Sequence, residues 1–169
     1  KSKAEADVEV TDEEIQAKYD ILSTELNGRH ILVEDEATAK ELIEKINAGE
    51  DFATLATEHS IDTASAANGG ELGWFSTGKM VEPFEDAAYA LELNTISAPV
   101  QSDFGFHIIQ ITEKRKIEGY ASLEDEKETI REAVVAEKAD WNEISAKLFK
   151  DAKIEVKDKD LSEAFSQIK

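Results

Sequence analysis

Glycine and proline concentrate in the middle of this 169-residue chain, and this distribution constrains its fold more than any other feature. Five of the eight glycines and both prolines lie between residues 68 and 105. Because these residues interrupt helices and strands and favour turns, the middle must consist of short elements joined by tight turns. The two flanks have few such breaks and carry helical patterns. We therefore expect a mixed domain between helical arms.

Helical periodicity dominates both flanks. Thr11 to Glu14 has the pattern of a capping box, and apolar residues then recur on one helical face at Ile15, Tyr19, Leu22 and Leu26. Asn27-Gly28 predicts the end of this helix. Ser122 is a second candidate N-cap. A long helix is predicted after it from the apolar positions Ile130, Val134, Trp141, Ile144 and Leu148.

The middle of the chain alternates between strand and helix patterns. In order, the sequence predicts a strand at 29–33, helices at 36–48 and from Phe52, a loop at 60–70, a strand at 72–75, a helix at 81–91, an edge segment at 97–100 and a strand at 106–112. Gly49 is expected just beyond the end of the second helix. This order predicts the α+β class, with a β-α-α-loop-β-α-β-β domain.

Composition excludes several classes of function. The formal net charge is −19 and the pI is about 4.5, which argues against nucleic acid as a partner. The absence of cysteine excludes disulfides, thiol nucleophiles and Cys-ligated metals. No apolar stretch is long enough to span a membrane. The charged residues Lys1 to Glu5 show no signal peptide, so we expect a cytoplasmic protein or a mature chain whose targeting segment has been removed.

Three histidines are the main candidates for chemistry: His30, His59 and His107. His30 lies in the first predicted strand and His107 in the last, and the two rings can face each other if those strands are neighbours. From the residues alone, a pair of core histidines and a metal site with Asp62 both stay open, although no HxH or HExxH spacing supports a metal. A serine hydrolase is disfavoured because the chain has no GxSxG motif.

Six segments, in order, resemble the parvulin family of peptidyl-prolyl cis/trans isomerases. They are Arg29-His-Ile-Leu-Val33, Gly69-Gly-Glu-Leu-Gly-Trp-Phe75, Gly78-Lys-Met80, Phe84-Glu-Asp-Ala-Ala-Tyr89, Ile96-Ser-Ala-Pro-Val100 and Phe104-Gly-Phe-His-Ile-Ile109. Several motifs at consistent spacing are far more specific than any one of them. The match covers about residues 28–115. The helical flanks and the run from Asp151 to Asp160 resemble the PrsA-type extracytoplasmic foldase lipoproteins of Gram-positive bacteria.

The resemblance implies a fold, a division of the chain and a location. The fold is the parvulin (FKBP-like) four-stranded antiparallel sheet with surrounding helices, at 28–115. Residues 1–27 and 116–169 are expected to form helical segments of a chaperone-like domain and to pack together. The expected location is the cell surface, with membrane attachment only through an anchor absent from these residues. A cytoplasmic location is the alternative.

The resemblance also implies the site residues. The catalytic set comprises the paired imidazoles of His30 and His107, Asp62 beside the rotating carbonyl and the Ser102 hydroxyl that holds the histidines. The substrate-binding set comprises the proline slot of Leu72, Met80 and Phe84, with Phe104 and Phe106 at its rim. On pattern alone, the i, i+4 spacing of Met80 and Phe84 is more typical of core residues. His59 matches no site residue of the family, and no metal or cofactor is implied.

The implied function is non-covalent peptidyl-prolyl isomerisation that assists the folding of secreted proteins, with proline-containing unfolded or secreted polypeptides as partners. Two features of the sequence narrow the implied function. Acidic residues 34–36 follow the first strand, where phosphorylation-directed parvulins carry a basic cluster, and they would repel a phosphate. Some members have Cys in place of Asp62, and a carboxylate there argues against covalent catalysis.

Two further functions stay open. The first is a chaperone that holds unfolded clients with little or no isomerase activity. The second is a structural role of the flanks, including a homodimer formed through Leu22, Leu26, Trp141 and Leu148.

Overall fold

A computed structural model describes residues 8–151, with the side chains of residues 8–139. Its elements are α1 (Asp12–Leu22), β1 (Thr24–Val33), α2 (Glu36–Asn47), α3 (Phe52–His59), α4 (Thr63–Ala66), β2 (Glu71–Phe75), α5 (Glu82–Ala90), β3 (Val100–Ser102), β4 (Gly105–Lys116) and α6 (Leu123–Asp151). One compact unit spans Asp20–Tyr120, and the described residues on either side of it form another. This sheet-bearing unit is longer than the predicted 28–115.

The four strands form one antiparallel sheet in the order β2-β1-β4-β3, which confirms the expected α+β architecture. The central pair, β1 and β4, is the longest, and its register runs from Thr24 opposite Lys116 to Val33 opposite Phe106. A bulge interrupts it between Asn27 and Gly28. Gly28 is required there, because a Cβ would lie 2.8 Å from the carbonyl oxygen of Gln110.

Each face of the sheet carries its own apolar core, because side chains alternate along a strand. One face packs against α2 and α3 and includes Ile31, Val33 and Ile108. The other face packs against α5 and includes Leu26, Ile109, Ile111, Phe75 and Phe84. The even-numbered His30 and the odd-numbered His107 project from this second face, which the candidate site therefore shares.

The start of β1 differs from the prediction. The helix predicted over 11–26 ends at Leu22, and β1 begins at Thr24. Leu26 pairs with Phe75 on one side and Lys114 on the other, and its side chain is fully buried. Pairing on both sides satisfies the backbone and buries Leu26, which overrides the helical pattern. Leu26 therefore cannot contribute to a helical dimer surface.

The edge strand is also displaced from its prediction. The edge segment is predicted at 97–100, whereas β3 spans Val100–Ser102. Before it, Ile96 makes an isolated bridge with Gln110, and the Ser97 hydroxyl accepts a hydrogen bond from the Ile109 N–H. Pro99 has no N–H to donate, which agrees with the interruption of pairing before β3.

In the unit outside residues 20–120, charged side chains of α1 and α6 are paired. The capping box is confirmed, with reciprocal hydrogen bonds between Thr11 and Glu14. Ion pairs join the two helices at Lys18–Glu137, Glu14–Lys138 and Asp12–Lys127. The side chains of Trp141, Ile144 and Leu148 lie outside the described residues, as does the run after Asp151. Within residues 8–151, no helix combines the length and apolar character needed to cross a membrane.

Candidate active site

A row of polar side chains crosses the α5 face of the sheet. The Nδ1 atoms of His30 on β1 and His107 on β4 are 3.2 Å apart. His30 Nε2 lies 2.8 Å from Asp62 Oδ2, and His107 Nε2 lies 2.7 Å from the hydroxyl of Ser102 on β3. The four residues predicted as catalytic are thus joined by consecutive hydrogen bonds, from the N-cap of α4 to the edge strand.

The two imidazoles meet edge to edge. Their planes differ by 19° and their centroids are 5.4 Å apart. The facing nitrogens are only 3.2 Å apart, and the distance from each nitrogen to the centre of its own ring accounts for the rest of the centroid separation. The two rings therefore lie nearly in one plane. Both rings are buried, at 6% exposure for His30 and 5% for His107.

The segment from Ser60 to Gly70 places Asp62 beside His30. β2 pairs only with residues 26–29 of β1, so the rest of that β1 edge needs other partners. The His30 N–H donates to the Gly70 carbonyl, the Leu32 N–H to the Ser60 hydroxyl, and the Ile61 N–H to the Leu32 carbonyl. Gly70 has a φ of +84°, and a Cβ there would lie 2.3 Å from the His30 carbonyl oxygen.

The direction of the hydrogen bonds follows from the Asp62 carboxylate, which can only accept. His30 therefore carries its hydrogen on Nε2, and in the neutral ring its Nδ1 accepts from His107 Nδ1. His107 Nε2 is then an acceptor for the Ser102 hydroxyl, whose oxygen accepts the Phe104 N–H. One carboxylate thus sets both tautomers and the orientation of the hydroxyl.

The environment keeps Asp62 and His107 in defined protonation states. Burial is the main cause that lowers the pKa of His107 to about 4, and the neighbouring His30 lowers it further, whereas Asp62 opposes this shift. The pKa of Asp62 is also lowered, chiefly because the Ser65 hydroxyl donates to its carboxylate, although partial burial opposes the shift. Near neutral pH, the row therefore contains a carboxylate and an uncharged His107 ring.

Ser65 is a buried component of the row that the sequence did not reveal. Its hydroxyl lies 2.6 Å from Asp62 Oδ2 and 3.1 Å from His30 Nε2, and its side chain is 6% exposed. Asp62 is also the N-cap of α4, where it accepts from the Ala64 N–H. Asp is a preferred N-cap residue, so a sequence signal exists for the cap at Asp62 but not for the contacts of Ser65.

An apolar surface adjoins the histidine pair. The Phe84 ring packs edge-on against both imidazoles, with centroids 5.6 Å from His30 and 5.3 Å from His107. Leu72 and Met80 are half-buried and pack against the same core cluster as Phe84. The three residues predicted to form the proline slot therefore lie together. Phe84 is almost fully buried, at 2% exposure, whereas Leu72 and Met80 are partly accessible.

The two residues predicted at the rim, Phe104 and Phe106, lie in different parts of the structure. Phe104 lies in the turn between β3 and β4 and is 63% exposed. Phe106 packs against the cluster on the opposite face, with Ile31 and Ile108. Because alternate residues of β4 face opposite sides, Phe106 cannot line a slot beside His107, and its placement at the rim is wrong.

Glu85 holds the loop that carries Met80 in place, a role that no sequence pattern indicated. Its carboxylate accepts hydrogen bonds from the backbone N–H groups of Gly78, Lys79 and Met80, at 2.8–3.0 Å. Three donors to one carboxylate hold this loop firmly in place.

His59 lies at the end of α3, exposed and 3.9 Å from Glu58, and takes no part in the row. No group of three or more His, Cys, Asp or Glu side chains that suits a metal occurs in the part of the chain that the structure describes.

Comparisons with known proteins match both the sequence and the fold. The sequence profile of the PPIC-type PPIase domain matches residues 2–115. The foldase protein PrsA of Geobacillus kaustophilus (strain HTA426) is 44% identical over 167 residues, which cover 95% of this chain and 57% of that protein. The chain thus spans little more than half the length of this curated relative.

Two solved structures show the same correspondence. The crystal structure of peptidylprolyl isomerase PrsA from Bacillus cereus has 42% identity and a TM-score of 0.59, over 98% of this chain and 63% of that one. The solution structure of NmPin, the parvulin of Nitrosopumilus maritimus, has 45% identity and a TM-score of 0.51, over 54% of this chain and 98% of that one. Almost the whole of that small protein therefore corresponds to about half of this chain.

Proposed function

The chain belongs to the family of PPIC-type peptidyl-prolyl cis/trans isomerase (PPIase) domains, and from this membership we propose that it accelerates rotation about the peptide bond that precedes proline. The observation that carries the proposal is the hydrogen-bonded row of Asp62, His30, His107 and Ser102 beside the apolar slot floored by Phe84. The arrangement offers a dry seat for a proline ring next to fixed polar groups.

The reaction requires the amide to lose its planarity. Resonance sets a rotation barrier of about 18–20 kcal/mol, so the uncatalysed change takes tens to hundreds of seconds. An acceleration of about 10⁵ requires about 7 kcal/mol of preferential stabilisation of the twisted form. No covalent bond has to form or break. The site must therefore bind the twisted amide more tightly than the planar one.

Two features of the site favour the twisted amide. A planar amide places partial negative charge on its carbonyl oxygen, and twisting withdraws that charge. The apolar slot formed by Leu72, Met80 and Phe84 disfavours the more polar planar form. The fixed negative charge of Asp62, beside the seat, disfavours a carbonyl oxygen that carries more negative charge.

Asp62 acts electrostatically in this mechanism. Its carboxylate already accepts hydrogen bonds from His30, from Ser65 and from the Ala64 N–H. These donors stabilise the negative charge and reduce its tendency to attack a carbonyl carbon. His30, His107 and Ser102 are the groups that hold the row rigid.

The test compares two phenylalanines on opposite faces of the sheet. Phe84→Leu removes the ring that contacts both imidazoles, and Phe106→Leu is the matched control on the α2 face. In a protease-coupled or exchange-NMR assay on a proline tetrapeptide, we expect Phe84→Leu to lower kcat/KM by about tenfold or more, which corresponds to about 1.4 kcal/mol. Phe106→Leu should stay within about twofold of wild type. Absence of catalysis by the folded wild-type chain would refute the proposal.

We also propose a role in the folding of secreted proteins outside the cytoplasm, with proline-containing unfolded polypeptides as clients. The similarity to the foldase protein PrsA of G. kaustophilus supports this role. Attachment to a membrane through an anchor outside the residues described is part of the same proposal. The test is recovery of a secreted, cis-proline-containing enzyme during refolding, with and without the chain.

Holding of clients without isomerisation is a second candidate function. Three large apolar side chains are exposed among the described residues: Ile61 at 45%, Leu93 at 46% and Phe104 at 63%. Such side chains can contact unfolded polypeptides. A His30→Ala/Asp62→Ala double variant that still suppresses client aggregation as well as wild type would favour this function.

Self-association through the flanking helices is a separate hypothesis. With Leu26 buried in the core, its remaining residues are Leu22, which is half-buried, and Trp141 and Leu148, whose side chains lie outside the described residues. Equilibrium sedimentation that shows only a monomer would exclude it.

A further inference from the structure

A cavity lies at the Ser102 end of the row. Its volume is about 280 Å³, and its lining consists of Val81, Pro83, Gln101, Ser102 and Asp103. Val81 and Pro83 lie between Met80 and Phe84 in the chain, and these two residues belong to the proposed proline slot. The cavity and the slot are therefore neighbours that share the first turn of α5 and the loop before it.

The spacing suits two consecutive residues of one peptide. His107 lies on β4 and Ser102 on the adjacent β3, and neighbouring strands are about 4.8 Å apart. An extended peptide advances about 3.3–3.6 Å per residue. A residue next to a proline seated on Phe84 therefore reaches this cavity with its side chain.

The polar lining of the cavity mainly accepts hydrogen bonds. The Ser102 hydroxyl donates to His107 Nε2, so only a lone pair on its oxygen is left for a ligand. The Asp103 carboxylate is exposed and accepts only. Of the lining side chains, only the Gln101 amide has N–H groups to donate. A ligand that complements this lining must bring its own donors.

The charge of the lining favours a cation, because Asp103 is its one charged side chain, and the neighbouring sequence is also acidic. From Glu71 to Glu113 the sequence has seven acidic side chains and one basic side chain, Lys79. The ring at this end of the row, His107, has a pKa lowered to about 4 and carries no positive charge near neutral pH. Val81 and Pro83 supply an apolar wall for an aliphatic stem. A long stem with a cationic head fits both parts of the cavity.

We propose that the cavity lined by Val81, Pro83, Gln101, Ser102 and Asp103 binds the side chain of a lysine or arginine adjacent to the proline of the client. This inference rests on the proposed isomerase function and adds a preference for basic substrates to it. Asp103 is the specificity-determining residue, because its carboxylate is the charged partner of the cationic head.

The experiment measures kcat/KM for tetrapeptides with lysine, norleucine or glutamate placed before or after the proline. Norleucine keeps the aliphatic stem and removes only the charge. For wild type, at one of the two positions, we expect kcat/KM to be about two- to fivefold higher with lysine than with norleucine, which is the range of an exposed ion pair. Asp103→Asn should bring this ratio to about 1, and Asp103→Lys should reverse the preference towards glutamate.

The matched control is Glu44→Gln, which removes one negative charge from α2, on the opposite face of the sheet. It should leave the ratio at its wild-type value. A wild-type ratio of 1 at both positions overturns the proposal, as does an equal fall in Asp103→Asn and Glu44→Gln, which would indicate only the general field of the protein. A higher kcat/KM with norleucine than with lysine overturns the proposal in favour of an apolar occupant.

Failure of the isomerase function is distinguishable from failure of this inference. If no peptide is isomerised, NMR titration of the whole chain with the same peptides decides the question. Larger shifts at residues 101–103 and tighter binding with lysine than with norleucine support the cavity assignment, and equal binding refutes it.

Discussion

Replacement of Ser65 by alanine tests how the row is held together. The Ser65 hydroxyl lies 2.6 Å from Asp62 Oδ2 and also approaches His30 Nε2 at 3.1 Å. Ser65→Ala removes this single oxygen and keeps the Cβ, so the substitution creates almost no cavity in a site that is 6% exposed. Any effect therefore comes from the lost hydrogen bond.

The expected size follows from the charge and exposure of the acceptor. Hydrogen bonds to charged groups contribute about 1.5–3 kcal/mol when buried. The Asp62 side chain is 30% exposed, so water replaces part of the lost interaction, and we expect a loss of about 1 kcal/mol at pH 7. The Ser65 hydroxyl is the main cause of the lowered pKa of Asp62, so the variant should have a higher pKa at this carboxyl.

The lowered pKa of Asp62 determines how the effect of Ser65→Ala changes with pH. A carboxyl whose pKa is lowered by folding contributes stability above its unfolded pKa and loses it as the pH falls through the folded pKa. In Ser65→Ala this contribution is smaller, and Asp62 becomes protonated at a higher pH. The acid limb of kcat/KM should therefore move towards neutral pH.

The assay is a pH profile of isomerisation together with urea unfolding. Ser97→Ala is the matched control, because Ser97 is equally buried and its hydroxyl accepts the Ile109 N–H outside the row. It should lose comparable stability and keep the wild-type acid limb. An unshifted acid limb in Ser65→Ala, or the same shift in both variants, would refute the assignment of Ser65 to the row.

Two other perturbations test parts of the same arrangement. Gly70→Ala should destabilise the fold by more than about 2 kcal/mol and abolish isomerisation, whereas Gly78→Ala, with a similar φ of +79° but nothing within 4 Å, should cost only about 1–2 kcal/mol in urea unfolding. Equal costs would contradict the predicted clash with His30. His107 has a folded pKa of about 4 against 6.5, so its contribution to the unfolding free energy should fall by about 1.4 kcal/mol per unit as the pH drops from 6.5 to about 4. His107→Gln should lack this part of the change of unfolding free energy with pH. An unchanged pH dependence in this variant would refute the lowered pKa of His107.

Much of the fold was predictable because its local signals agree with its tertiary structure. The helix expected at 36–48 is α2, and Gly49 follows it with a φ of +101°. The Ile-rich segment 106–112 lies within β4, and the strand expected at 72–75 lies within β2. In these segments the periodicity of apolar residues and the turn residues favour the same structure.

The errors lie where pairing with distant residues decides the structure. The first residues of β1 and the last residues of β4 are mostly polar or charged and show no strand alternation. They are strands because Thr24 pairs with Lys116 and Glu25 with Arg115, about ninety residues apart. A local pattern carries no information about such a partner.

The predictions of site residues divide in the same way as those of the fold. The facing of His30 and His107 was expected on the condition that their strands are neighbours in one sheet, and β1 and β4 are neighbours. The resemblance to a known family supplied Asp62, Ser102 and the three slot residues. Ser65 and Glu85 were missed because each acts through another residue, Ser65 on Asp62 and Glu85 on the loop of Met80. Such roles depend on distances that a sequence does not display.

The protonation pattern of the histidine pair tests the account most directly. Nitrogen-15 NMR of the imidazoles at pH 7.5 distinguishes which ring nitrogen carries the hydrogen. We predict a hydrogen on Nε2 in His30 and on Nδ1 in His107, because Asp62 sets the direction of the whole row. The same tautomer in both rings, or a doubly protonated His107, would contradict the account.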